Sequence, residues 1–541
     1  MDFWIPQDFQ AITQGRWLVP PGDPRASITG VGIDTRTLQP GQAFFAVKGE
    51  THDGHDHVAV AIEKGAAIVV VSDEKKISDL GFRISDLQSD RKPLHPSSAL
   101  NPPSAIRDPQ FPTNPKSEIR NSKSLPILLV PDTVLTLQQL ARVWRDILKQ
   151  RSVKVVAVTG SSGKTTTRNL IHTALSATLR GTQSPKSFNN HLGVPLTLLA
   201  APASDDFVVA EVGTNHHGEI AQLASILRPD IAVITNIGHA HIGHFGSQDA
   251  IAVEKSSLLK FLQPGGVAVV NGSQPWTKDW HRLLPAGTRM VTFDAVMKRE
   301  SDGSLRCDLA ARDLSTDAVG LHFSVASARR EPLRIDLPML GAHNAENALV
   351  AVAVARELGV ADEAMAAALG KAKGVAMRME LVRLGADSSH AGITVINDAY
   401  NANPDSMAAA IATLVSLPAE RRVAILADML ELGEASAQEH RKLGQLLAQF
   451  LRGGELRVGL VILIGEAMGS AVGELSMPAC DDRVVYVPRF GDDLPPRVAA
   501  MLHDGDLVLL KGSRGLRLER LLPAMKSRFA ENVDPILSNG K

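Results

Sequence analysis

Along most of the chain, short runs of β-branched and other apolar residues alternate with longer Ala- and Leu-rich stretches. Residues 153–158, 207–212, 231–234 and 266–270 are near-continuous apolar runs of strand length, each followed by a helical or Gly-rich segment. Strands that are apolar on both faces belong to parallel sheets covered by helices on each side. The pattern returns at 393–396, 422–426, 460–464 and 507–510, which predicts a second α/β sheet. Residues 321–325 and 331–337 read as added antiparallel strands, and 345–358 and 361–373 as helices. A short hinge is expected at 374–378. Upstream, 28–33, 43–47 and 67–71 read as strands and 58–64 as a helix. From 88 to 124 the chain is rich in Pro, Ser, Asn and Asp, without apolar periodicity. Such a segment cannot bury enough surface to offset its ordering entropy, so it is expected to be a disordered insertion. Order resumes at 126–130, ahead of a helix through Trp144.

Length and composition narrow the class. At roughly 150 residues per domain, 541 residues suggest three or four domains. Lys plus Arg number 57 and Asp plus Glu 58, a net charge of −1, which argues against a nucleic-acid backbone or anionic membrane as main partner. The two cysteines, Cys307 and Cys480, have no metal-ligand spacing and suit a reducing compartment. No basic n-region with an apolar core opens the chain, and no apolar run approaches 18 residues. A cytoplasmic, multidomain protein without an integral membrane segment is expected.

The stretch from Val153 to Thr167 is the most informative. A buried strand runs into Thr159-Gly160-Ser161-Ser162-Gly163-Lys164-Thr165-Thr166, and a helix is expected over about 168–179. Gly160 and Gly163 let successive N–H groups face an anion at a helix N-terminus. Lys164 adds positive charge for β/γ-phosphates, and the Thr165 hydroxyl can ligate Mg²⁺. Val158 stands where the longer form of this motif has another glycine. The competing reading is a tight strand–helix turn with an incidental lysine.

Glu211 ends an apolar strand, and strand C-termini line the ligand crevice of a parallel sheet, so its carboxylate could ligate a hard cation. A solvated loop acid is the plainer alternative. Asn236, His239 and His241 follow the next strand and would reach the same crevice, with one histidine expected as a ligand. Zinc is disfavoured, since no cysteine is near and no His-Glu-x-x-His helix occurs. By spacing alone Lys255 is an ordinary helical lysine.

Together these blocks resemble the Mur ligase family over nearly the whole chain. Thr159 to Thr167 is similar to the family's ATP loop, and Asn189-Asn190-His191-Leu192-Gly193-Val194-Pro195 to the block that follows it. Glu211-Val212-Gly213-Thr214-Asn215, Thr235-Asn236-Ile237-Gly238-His239-Ala240-His241 and Gly341-Ala342-His343-Asn344-Ala345-Glu346-Asn347 continue the order. Asp34-Thr35-Arg36 and Asp53-Gly54-His55 resemble the family's UDP-sugar domain. Asp398-Ala399-Tyr400-Asn401-Ala402-Asn403-Pro404-Asp405-Ser406-Met407, with Lys511-Gly512-Ser513-Arg514, is similar to the members that add D-Ala-D-Ala. Asn397, Ala399 and Ala427 depart from the residues usual there.

The resemblance implies three α/β domains: a small mixed UDP-binding domain over 1–150, a central P-loop ATPase-like parallel sheet over 151–376, and a Rossmann-like domain over 377–541. It implies an ATP-driven amide ligation joining D-Ala-D-Ala to UDP-MurNAc-tripeptide through an acyl phosphate, by a monomer. Lys164, Lys255, His241 and Glu211 would be catalytic. Gly160, Ser161, Ser162, Gly163, Lys164, Thr165, Thr166, Asn344, Asn347, Arg378 and Asp398 would bind ATP. Ser27, Asp34, Thr35, Arg36, Asn189, Asn190, Tyr400, Asn401, Asn403, Lys511, Ser513 and Arg514 would bind the other substrates. Two Mg²⁺ would be held by Thr165, Glu211, His241 and Lys255, the lysine as a carbamate. Closure about 374–378 would assemble the site. Other readings stay open: a tripeptide-forming or folylpolyglutamate synthase-like ligase, a P-loop kinase or NTPase, or a catalytically dead ligand-binding homologue.

Overall fold

A computed structural model of the protein describes residues 4–79, 126–295, 307–317, 319–328, 330–385, 392–452, 458–475 and 482–530. The segment 88–124 and Cys480, for which the sequence raised expectations, lie outside them. The chain divides into two compact units, 1–148 with 195–202, and 149–194 with 203–541. Between them they hold three sheets, and the fold is a three-domain α/β one.

The first unit is built on β1 (Arg16–Val19), β2 (Val31–Gly32), β3 (Ala43–Phe45), β4 (Ile68–Val71) and β5 (Ile127–Leu129). Their order is β1-β5-β4-β3-β2, with β1 antiparallel to β5 and the others parallel. All four residues of β4 are buried, as a central strand covered on both faces requires. The helix Thr133–Gln150 packs through Leu137, Leu140, Ala141, Trp144 and Leu148, the 3.6-residue stripe that fixes its buried side. The strand expected at 28–33 shortens to β2, because Ile28 bridges Trp4 instead of joining the sheet. The sequence pattern missed β1, whose four residues carry no alternation.

The second unit carries two sheets. The central one comprises β6 (Lys154–Thr159), β7 (Gly181–Gln183), β8 (Phe207–Glu211), β9 (Ile231–Ile234), β10 (Val267–Asn271), β11 (Arg289–Asp294), β12 (Leu309–Thr316), β13 (Leu321–Ser327) and β14 (Arg330–Leu337). Their order is β14-β13-β12-β11-β10-β9-β6-β8-β7. From β7 to β12 neighbouring strands run parallel, while β12, β13 and β14 form an antiparallel extension. Because β8 flanks β6 on one side and β9 on the other, the crossovers diverge at β6. A crevice opens at such a switch point, outside the strand C-termini. The phosphate-loop helix runs Lys164–Leu175, four residues earlier than the sequence pattern placed it, because Gly163 turns the chain at once with φ 80°. It packs with the helix His343–Glu357 over one apolar core.

The second sheet of this unit comprises β15 (Glu380–Leu384), β16 (Ile393–Asp398), β17 (Arg421–Ala427), β18 (Leu460–Ile464), β19 (Val484–Val487) and β20 (Asp506–Lys511), in the order β15-β16-β20-β17-β18-β19. Only β15 is antiparallel to its neighbour. Residues 374–378 between the two sheets form no helix or strand. Among the described residues no helix is long and apolar enough to cross a membrane.

Candidate active site

The crevice beyond β6, β8 and β9 gathers the phosphate loop, Glu211 and the turn 236–241. Gly160 is pressed so closely on β9's end that a Cβ there would lie 1.8 Å from Thr235 Oγ1. A Cβ on Gly163 would lie 2.7 Å from Asn347 Oδ1, so both loop glycines are required by space. Ser161 N–H donates to Asn236 O and Ser162 N–H to Asn236 Oδ1, each at 3.0 Å, which ties the loop to the following turn. Lys164 Nζ donates to Gly160 O at 2.7 Å, holding the charge at the mouth of the loop. Burial pulls the Lys164 ammonium below its ordinary range; Glu211 and Glu431 oppose this, and Arg378 adds to it.

Thr165 and Glu211 are brought together. Thr165 Oγ1 donates to Glu211 Oε2 at 2.8 Å, Asn189 Nδ2 donates to Oε1 at 2.9 Å, and the Arg168 guanidinium stands 3.5 Å from Oε2. These are adjoining hard oxygen donors. Among the described residues, however, no group of three or more His, Cys, Asp or Glu is arranged to hold a metal ion. The donor set therefore fits a cation of the Mg²⁺ kind, which keeps water and phosphate ligands and needs one or two protein oxygens. It does not fit a closed protein cage.

Lys255 lies in the helix Gln248–Ser256, as expected, and is 1% exposed. Its Nζ makes no hydrogen bond or ion pair with the described residues. Burial, reinforced by the Lys164 charge, drives its amine well below the usual lysine range. The neighbouring Glu254 serves a different purpose: it accepts from Gly218 N–H at 2.7 Å and Ile220 N–H at 2.8 Å, capping the helix Glu219–Leu227.

His241 has φ 62° and faces Glu431, which has φ 65°; two non-glycine residues in the left-handed region meet at one contact. Such conformations cost roughly 1–3 kcal/mol each and gather where the surroundings over-determine them. His241 Nδ1 lies 2.7 Å from Glu431 Oε2, a close polar contact without the alignment of a hydrogen bond. The imidazole holds the Glu431 carboxyl below its ordinary range. Glu431 and Arg168 are the site residues that sequence reasoning left unassigned. Glu431 stands in a block, Glu431-Leu432-Gly433, that resembles the family, but its role shows only in the loop φ and the tertiary contact, and Arg168 shows only through its contact with Glu211.

Other expected residues are occupied within the protein. Asn347 Nδ2 donates to Asn344 Oδ1, and Thr167 Oγ1 donates to Asn347 Oδ1, both at 2.8 Å, so this pair braces the loop helix from behind. Asp398 takes a salt bridge from Lys511 Nζ at 2.6 Å, and that ammonium also donates to Asn401 O at 3.0 Å. Asn403 caps the helix Pro404–Ser416 by accepting from Ser406 N–H. Ser513 Oγ accepts from Leu430 N–H at 2.8 Å. Arg514 pairs with Glu519 at 2.8 Å. Asn190 Oδ1 accepts from Leu192 and Gly193 N–H. Arg378 differs: its guanidinium stacks 4.2 Å over the Tyr400 ring, its Nε is buried without a hydrogen-bond partner among the described residues, and Tyr400 Oη is 2.6 Å from Ser187 Oγ. Asn401 is exposed.

In the first unit, Ser27 is exposed and Thr35 half-buried. Asp34 and Arg36 form a 2.7 Å ion pair, and the guanidinium lowers the Asp34 carboxyl to about 2.

Three family models match the chain: "Mur ligase family, catalytic domain" over 27–142, "Mur ligase middle domain" over 158–355, and "Mur ligase, glutamate ligase domain" over 377–514. The chain is 32% identical to the UDP-N-acetylmuramoyl-tripeptide–D-alanyl-D-alanine ligase of Bacillus subtilis (strain 168), with 92% of each chain covered. It is equally 32% identical to the protein of the same name in Mycobacterium tuberculosis (strain H37Rv), again with 92% of each covered. A crystal structure of MurF from Acinetobacter baumannii superimposes with a TM-score of 0.75 at 28% identity, covering 97% of this chain and 99% of that one.

Proposed function

The chain belongs to the Mur ligase family, and from that premise we propose that it joins D-Ala-D-Ala to UDP-MurNAc-tripeptide at the expense of ATP. It is a ligase that forms carbon–nitrogen bonds, of the kind used in peptidoglycan synthesis. The observation that carries the reading to this crevice is Lys164 at the mouth of a two-glycine loop, beside the Thr165–Glu211 pair.

In the proposed reaction the tripeptide carboxylate attacks the γ-phosphate, giving an acyl phosphate and ADP. The dipeptide amine then displaces phosphate and forms the amide. Both halves bring anionic groups together, so positioned cations do more than a protein nucleophile could. Lys164 and the loop N–H groups would hold the β/γ-phosphates. Arg378 would bring a second cation from beyond the hinge at 374–378, with Tyr400 fixing its plane. Thr165 and Glu211 would hold one Mg²⁺; His241 and a carbamate on Lys255 would serve a second. When bound, the ions supply charge neutralisation along the phosphates. A depressed, unpartnered amine such as Lys255 is the form that adds CO₂, which supports the carbamate assignment. Asp398, Asn344 and Asn347 would meet the nucleotide, and the Asp34–Arg36 turn the UDP-sugar. A cytoplasmic monomer completes the reading.

A substrate panel tests it. Mass spectrometry should find the pentapeptide product with D-Ala-D-Ala as acceptor and none with free diamino acids. Ligation of a free diamino acid instead would replace this reading with a tripeptide-forming one.

A further inference from the structure

Beyond the phosphate loop itself, one contact joins the central sheet's loops to the C-terminal part of the second unit at a residue to which no role has been given. The turn 236–241 is held from two sides. On the phosphate side, Ser161 Oγ accepts from Gly238 N–H at 2.9 Å and donates to Gly238 O at 3.3 Å. On the other side, His239 N–H donates to Asp405 Oδ2 at 2.7 Å, and the His239 ring Nδ1 lies 3.1 and 3.2 Å from the two carboxylate oxygens. A Cβ on Gly238 would lie 2.3 Å from Asp405 Oδ2 and 3.1 Å from Cγ, so the glycine makes room for the carboxylate. A second pairing follows just after the turn, in the short helix Ile242–Phe245: Gly243 N–H donates to Glu431 O at 3.2 Å, and a Cβ on Gly243 would lie 2.6 Å from Gly433 N.

Asp405 is the second residue of the helix Pro404–Ser416, whose reciprocal Asn403–Ser406 cap fixes it to the preceding loop. That loop follows Asp398 at the end of β16 and carries Tyr400. The position of Asp405 on the turn therefore sets the position of Tyr400, and of the Arg378 stacked on it, relative to the phosphate loop.

We propose that Asp405 is a positioning residue, which clasps the His239 turn and so registers the C-terminal part of the unit onto the phosphate loop. The bond that matters is the one from the His239 backbone N–H, a charge-assisted hydrogen bond that does not depend on the ring's protonation. The ring contact is largely exposed, with Asp405's side chain 44% accessible, and an exposed pair of this kind contributes little. The plainer account is an acid in the first turn of a helix, favoured by the helix dipole. That account predicts nothing about Gly238.

The proposal rests on the ATP-dependent reading for its kinetic part and on geometry for the rest, and the test separates the two. Spin labels at Lys278 and Lys526, both exposed, in a full-length Cys307→Ser/Cys480→Ser background, report the distance between the central and C-terminal parts. With a non-hydrolysable ATP analogue bound, the protein with Asp405 intact should give one narrow distance distribution. Asp405→Ala should broaden it and raise KM for ATP about tenfold with kcat little changed, a mid-range effect for residues in direct contact. Asp405→Asn keeps an acceptor for the His239 N–H and should recover part of both. Gly238→Ala should reproduce Asp405→Ala from the opposite side, and the double variant should be no worse than either single one. An unchanged distribution and KM in Asp405→Ala, or additive effects in the double variant, would overturn the clasp. If the intact protein fails to ligate, the functional reading falls while the distances still decide the clasp.

Discussion

Two sets of strand ends in the second unit are built from the same residue types and treat their charges in opposite ways. Beyond β6, β8 and β9, Lys164, Lys255 and Arg378 make no ion pair with a carboxylate among the described residues, and burial holds Lys164 and Lys255 below their ordinary range. Beyond β16, β17 and β20, Lys511 neutralises Asp398 and Arg514 pairs with Glu519, while Asp428 accepts from Met468 N–H at 2.9 Å. The first set is a surplus of poorly solvated cations, which an incoming anion would stabilise. The second is internally satisfied and serves to hold loops in place. Charged residues in a motif are thus of two kinds, and only the geometry separates them.

The comparison breaks most visibly if the cations of the first set prove dispensable. Lys164→Ala should cost at least about a hundredfold in kcat, the scale of removing one preorganised electrostatic group, with circular dichroism unchanged. Lys255→Ala should likewise abolish ligation without unfolding the chain. Near-normal turnover in that variant would rule out the carbamate.

The second set should answer in stability. Lys511→Met leaves the half-buried Asp398 without its counter-ion and should destabilise the protein by about 3 kcal/mol in denaturant unfolding, since removing one partner of a largely buried pair strands the remaining charge. A pH-dependent effect of similar size at most is expected where burial and Asp294 raise the Glu346 carboxyl to about 7. Its folded pKa exceeds the ordinary 4.5, so the folded state binds the extra proton between those values. That contribution is full below about 4.5 and is lost as pH rises through 7, with a slope of at most about 1.4 kcal/mol per pH unit. Glu346→Gln should flatten the slope. Smallest is Arg378→Lys, which keeps the charge and loses the stack over Tyr400, an interaction of roughly 0.5–1 kcal/mol. It should appear as a few-fold rise in KM for ATP.

Much of the parallel framework was legible because strands such as β8, β9 and β18 are apolar throughout and need no partner to be recognised. Short or polar strands were not: β7 is Gly-Thr-Gln and β11 begins with an exposed arginine, so their pairing comes from the sheet and not from their own pattern. At the site, the phosphate loop and Glu211 were readable because contiguous spacing carries their chemistry. The roles of Glu431, Arg168 and Asp405 were not, since each acts across a contact between segments far apart in sequence. Asn403, Ser513 and Lys511 show the converse. Their motif was visible, but their engagement in capping and loop ties appears only when the chain is folded.

The central claim is that this crevice couples ATP cleavage to amide formation. Phosphate release from the full-length protein, with ATP, UDP-MurNAc-tripeptide and D-Ala-D-Ala each omitted in turn, tests it most directly. The account predicts sustained release only when all three are present. Sustained release with ATP alone, or with no need for the dipeptide, would contradict it.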